Sequence, residues 1–150
     1  MSLENLLKIG QLKEHQTDAA DVQRLLAAAQ RNLTDARVTS ISPETRFDAA
    51  YKAIMQAALT ALMAQGYRPD TNRPGHHMTI VQALPLTIGL AEKRMAVLDT
   101  LRRKRNIADY TGEDIDDVSM ENCVDEAEQL IADVNVWLKT NRPHLLVVKK

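Results

Sequence analysis

The chain is poor in the residues that build sheets, staples and metal cages. Aromatic residues make up only 3% of 150 positions, with one Phe and one Trp, while alanine and leucine are plentiful. That composition favours helices over sheets. The single Cys123 excludes an internal disulfide and any multi-cysteine metal site, and it fits a reducing compartment. No apolar run approaches the roughly 20 residues that span a bilayer. The N-terminus lacks the basic-then-apolar pattern of a signal peptide. A cytoplasmic location with no membrane contact is therefore expected. The formal net charge is −1, so the molecule as a whole is not a cationic glove for nucleic acid. Glycine-rich phosphate loops, nucleophile elbows and two-histidine zinc helices are all missing. No metal and no cofactor is expected.

What remains is a series of helices on short connections, read as a single domain over 1–150. A leading helix is expected over Leu3–Lys13, within a leading segment 1–16. Thr17 reads as an N-cap, with Asp18 and Asp21 at the positive helix end, before the stripe Val22, Leu25, Ala29, Leu33, Ala36. Ser42-Pro43 opens a second long helix that is apolar almost all round. Phe47, Tyr51, Ile54, Ala58 and Leu62 form one stripe, and Ala50, Ala53, Ala57, Ala61 and Ala64 form another. Such a helix is central or shared with a partner, and the spare apolar face points to a dimer. Gly66 ends it.

A third helical region starts near His76 or His77. Pro85 and Gly89 interrupt it, predicting a short helix, a kink and a long helix from about Leu90 to Thr111-Gly112. The last helix is expected to use Ser119 as cap, with Val118 and Cys123 as a staple, and to stop at Pro143. The tail 141–150 carries Leu145 to Val148, which should dock. The expected architecture is all-α: an up-down-up-down four-helix bundle, core about 17–140, with short extra helices.

The chemistry concentrates at the end of the third long helix. Arg102, Arg103, Lys104 and Arg105 are followed by Asn106, Asp109 and Tyr110. Cations at a helix C-terminus satisfy its last carbonyls and its dipole, and this alone accounts for most of the run. Arg105 is different. It falls within about 20° of Leu98 around the helix, so it faces the apolar stripe, with Asp109 as its i,i+4 partner. Tyr110 lies roughly 140° away from Arg105. The two meet only if the helix unwinds near Asp109 or if two chains bring their copies together. His76 and His77 are adjacent, which makes a poor chelate; capping or surface exposure is the plainer role. They also begin the same helical region whose far end carries Arg105, so they are not obvious proton carriers for it.

Three segments of the chain resemble the HEPN superfamily, small helical bundles of bacteria and archaea that recur in toxin–antitoxin and defence loci. Phe47-Asp48-Ala49-Ala50-Tyr51-Lys52-Ala53 through Gly66 is similar to the family's second helix. Gly75-His76-His77 is similar to the histidine-containing start of its third. Arg105-Asn106-Ile107-Ala108-Asp109-Tyr110 looks like its terminal motif: arginine, often asparagine, a few variable residues, then histidine, with a common variant ending Ala-Asp-Tyr. The similarity covers roughly Val22 to Trp137.

This resemblance implies a metal-independent ribonuclease with its site at a homodimer interface. Arg105 would clamp phosphate, Asn106 would orient substrate and Tyr110 would stand where the family's proton-carrying histidine stands. Arg102, Lys104 and Asp109 would help to bind substrate. It also implies a nucleotidyltransferase antitoxin as partner, with Tyr110 as a hydroxyl that partner modifies. A phenol with a pKa of about 10 is a poor base at neutral pH. Two functions therefore stay open, an RNA-cleaving toxin or a non-catalytic module that binds a nucleotide, RNA or protein in the same place, with a purely structural dimer third.

Overall fold

Ser2 starts the first helix, α1 (Leu3–Lys8), by accepting a hydrogen bond from the Asn5 N–H at 3.2 Å. Gly10 then takes the left-handed region at φ 80°, a turn that favours glycine. This turn is why the expected helix over Leu3–Lys13 is cut short. Leu12–Glu14 instead forms β1, which pairs antiparallel with β2 (Tyr67–Pro69), Leu12 opposite Pro69. The structure is a computed structural model and describes residues 1–147. Among those residues the protein is all-α apart from this one small sheet.

α2 (Ala19–Ala36) is capped by Asp18, not Thr17. The Asp18 and Asp21 side chains each accept from the other residue's N–H, a reciprocal pair that Thr17 cannot make. α3 (Pro43–Ala64) opens on Ser42, whose hydroxyl oxygen accepts from the Thr45 N–H at 3.1 Å. Ala50, Ala53, Ala57, Ala58 and Ala61 of this helix are all fully buried. Small side chains let neighbouring helices approach closely on every side.

α4 (His76–Gln82) and α5 (Leu84–Thr87) lead through Gly89, at φ 69°, into α6 (Glu92–Thr111). This connection is a reversal and not the expected kink. Gln82, at the end of α4, donates to Asp99 in the middle of α6 at 3.5 Å. His77 at the start of α4 and Arg105 near the end of α6 both reach Tyr51. The two helices are therefore antiparallel. Pro85 has no N–H with which to continue α4 and sits in the first turn of α5, and the Leu90 N–H closes the corner on the Leu84 carbonyl at 3.3 Å.

α7 (Asp117–Asn141) is capped by Asp116, which accepts from the Ser119 N–H and hydroxyl at 3.0 and 2.8 Å. Ser119 thus lies in the first turn, and Val118 is exposed, so the expected staple is not made. Cys123, Ala127, Leu130, Val134 and Leu138 form the buried stripe. Burial pushes the Cys123 thiol up to about 12, as suits a core side chain. A 3-10 turn, Pro143–Leu146, buries Leu145, and the Leu146 carbonyl accepts from Gln23 at 3.0 Å. Residues 148–150 of the expected tail lie outside the described residues.

Side-chain pairs fix the helix directions. Arg46 donates to the Ala36 carbonyl at 2.8 Å across the α2–α3 turn. The Ile115 N–H donates to Glu44 at 3.0 Å and Cys123 Sγ lies 3.8 Å from the Phe47 carbonyl, so α3 and α7 run parallel. Arg94 pairs with Asp133, and Lys104 with Asp116 at 3.1 Å, so α6 runs against α7. The order α2, α3, α6, α7 alternates in direction as expected of a bundle, but the four are unequal. α3 sits in the middle, while α6 buries only Leu98, Asp99 and Leu101. The all-round burial of α3 is satisfied within one chain, which removes the ground it gave for a dimer.

On α7, Leu130→Ala should lower stability by about 2–5 kcal/mol in chemical denaturation. Val136→Ala, on the exposed side of the same helix, should stay within about 0.5 kcal/mol of the parent.

Candidate functional site

The four cations of α6 leave that helix in different directions. Arg102 Nε donates to Asp99 Oδ1 at 2.8 Å, with its side chain only 11% exposed. Arg103 reaches the other oxygen of Asp99 at 3.0 Å. Burial raises the Asp99 carboxyl, but the hydrogen bond and charge of Arg102, with Gln82 and Arg103, hold it below its ordinary value. Lys104 pairs with Asp116, whose carboxyl the Ser119 hydroxyl and Lys104 hold well below the usual carboxylate range. Arg102 is thus paired within α6, while Lys104 ties α6 to the cap of α7.

Arg105 turns inward over the start of α3. Its guanidinium lies 5.0 Å from the centre of the Tyr51 ring, a cation–π contact. Its Nε sits 3.4 Å from Asp109 and 3.6 Å from Asp48. That nitrogen is buried and makes no hydrogen bond. The carboxylates hold the cation in place without claiming its donor.

The far side of Tyr51 belongs to α4. Tyr51 Oη and His77 Nδ1 are 3.3 Å apart, and the His76 ring meets the His77 ring edge-on at 4.6 Å between centroids. Burial raises the Tyr51 hydroxyl, against the opposing charges of Arg105 and Arg102. Burial also lowers the His77 imidazole below its ordinary 6.5, helped by His76, Arg105 and Arg102. At neutral pH the pair is a neutral phenol beside a neutral imidazole.

These side chains line a cleft of about 660 Å³ bounded by α2, α3, α4, α6 and the segment at Pro69 and Thr71, with Asp48 and Lys52 also in its lining. Of the six site residues expected from the sequence, Arg105 alone lines it. Asp109 braces Arg105 from behind. Asn106 is exposed, and Tyr110 is 95% exposed. α6 runs unbroken to Thr111, so the unwinding that would bring Tyr110 round to Arg105 does not occur. Tyr51, His77 and Asp48 were not expected there. Two signals pointed to them: a phenol on the apolar stripe of α3, which needs a hydrogen-bond partner, and a cation on the apolar stripe of α6, which needs a surface to rest on.

Fold and site together define an all-α bundle with an arginine, a phenol and an imidazole converging in one cleft. Among the described residues no cluster of three or more His, Cys, Asp or Glu side chains is placed to hold a metal ion. The chain matches no protein-family model and no curated protein.

Asp99→Ala would leave the Arg102 guanidinium nearly buried and unpaired, at a cost of about 3 kcal/mol of stability. Because the carboxyl is held below its ordinary value, its contribution is complete above about pH 4. It should fade as the pH falls through the lower folded-state value. Denaturation of parent and variant across that range should therefore converge at the acid end.

Proposed function

We propose that this chain is an RNA-binding and RNA-cleaving protein of the HEPN type, the toxin-like half of a toxin–antitoxin or defence pair. Arg105 is its phosphate clamp. The observation that carries this reading is the seating of Arg105. A guanidinium rests on a phenol ring in a cleft, with its Nε buried and free of hydrogen bonds. A planar fork of donors in a partly dry site suits a phosphate whose charge grows in the transition state. The reaction is attack of a ribose 2′-hydroxyl on the neighbouring phosphorus, with Arg105 stabilising the charge on the non-bridging oxygens.

Tyr110 has a separate place in this reading. Its side chain stands almost wholly in solvent on the last turn of α6. That suits a hydroxyl presented to a partner enzyme better than one working in a cleft. A nucleotidyltransferase antitoxin that adds a nucleotide to this oxygen would place charge and bulk on the outer face of α6. A homodimer is compatible with the same surface.

The test is the integrity of total RNA from the expression host, incubated with the purified chain in the presence of a chelator. The parent should cleave it. Arg105→Ala should slow cleavage by about 100-fold, while Tyr110→Phe should leave it unchanged. Intact RNA with a folded parent would move the reading to the non-catalytic binding module.

A further inference from the structure

The terminal motif of α6 supplies no imidazole, but the cleft has one. The reversal between α4 and α6 sets His77 on the opposite edge of the same phenol that carries Arg105. The cation is therefore at the ring face and the imidazole at the ring hydroxyl. Arg105 and His77 line the same cleft. The His77 side chain is open to that cleft, whereas Tyr51 beneath it is buried.

We propose that His77 is the general base of this site: its Nε2 removes the 2′-hydroxyl proton, and Tyr51 is the positioning residue that fixes its tautomer. This assignment rests on the RNA-cleaving reading above. The assignment requires the tautomer in which Nδ1–H donates to Tyr51 Oη, 3.3 Å away, and Nε2 carries the lone pair. As Nε2 takes the proton, the 2′-oxygen bonds to phosphorus and the bond from phosphorus to the 5′-oxygen breaks. The departing 5′-oxygen takes a proton from water, and the imidazolium returns its own to solvent. The products are a 2′,3′-cyclic phosphate and a free 5′-hydroxyl.

The surroundings keep the ring in its working form. The groups that face His77 are His76 from its own helix, Arg102 and Arg105 from α6, and Asp48, Tyr51 and Lys52 from α3. Burial, His76 and the two arginines favour the neutral base, and the Asp48 carboxylate is engaged with Arg105. Tyr110 has no such environment; it is exposed and faces no imidazole or arginine of the cleft.

The test uses the full chain and single-stranded RNA under single-turnover conditions, with cyclic-phosphate ends as readout. A 2′-O-methyl oligonucleotide of the same sequence, which cannot react, serves as the binding probe. His77→Ala should cut the cleavage rate about 100-fold and leave the affinity for the probe unchanged. Added imidazole should restore part of that loss. The parent rate should rise with pH along a limb centred below 6.5 that is absent from His77→Ala. Tyr51→Phe keeps the ring under Arg105 and removes only the hydroxyl; it should lower the rate and move that limb to lower pH. Cleavage by His77→Ala at the parent rate, with the limb intact, overturns the assignment alone. RNA left whole by a folded parent overturns the proposed function and this assignment together.

Discussion

Arg105 rests on the face of Tyr51, and this stacking ties the outer helix of the bundle to its central one. α6 buries little apolar surface of its own. Its hold on the rest of the protein comes from Leu98 and Leu101, from ion pairs to α7, and from this cation on a phenol. Contacts of this kind contribute about 0.5–2 kcal/mol, more as they lose water. The same ring uses its hydroxyl to meet α4. One side chain on a rigid, fully packed helix thus sets the spacing between an arginine and a histidine that are far apart in sequence.

The electrostatic arrangement separates three closely paired cations from one that is held more loosely. Asp99 takes Arg102 and Arg103, and Asp116 takes Lys104, all at hydrogen-bonding distance. Arg105 faces two carboxylates, Asp48 and Asp109, and bonds to neither through Nε. Long contacts of this kind orient the charge, and with Nε closed off the exposed part of the side chain is what an acceptor in the cleft can reach. A phosphate with bidentate geometry is such an acceptor. The neutral imidazole beside it adds no competing charge at neutral pH.

Much of this fold was legible in the sequence. The alanine stripe of α3, the Ser42-Pro43 start and the position of Cys123 in the core all follow from periodicity and capping chemistry. The errors have local causes. Thr17 lost the cap to Asp18, a better acceptor that pairs reciprocally with Asp21, and Ser119 lost it because α7 begins a turn earlier, at Asp116. Pro85 and Gly89 were read as a kink because each breaks a helix, but sequence does not say through what angle the chain turns. That angle decided the site. A kink leaves His77 and Arg105 at opposite ends of one rod, whereas a reversal brings both to Tyr51. The inward turn of Arg105 was legible from its angle to Leu98, but the identity of the surface beneath it depended on tertiary packing.

The central claim is that Arg105 and His77 serve one phosphate. The direct measurement is nuclear magnetic resonance on nitrogen-15-labelled protein during titration with a 2′-O-methyl oligonucleotide. The Arg105 Nε–H and the His77 imidazole nitrogens should shift together and saturate at the same concentration, while the Tyr110 amide stays still. Shifts at Asn106 and Tyr110 with Arg105 and His77 unmoved would contradict the account, placing binding on the outer face of α6 and not in the cleft.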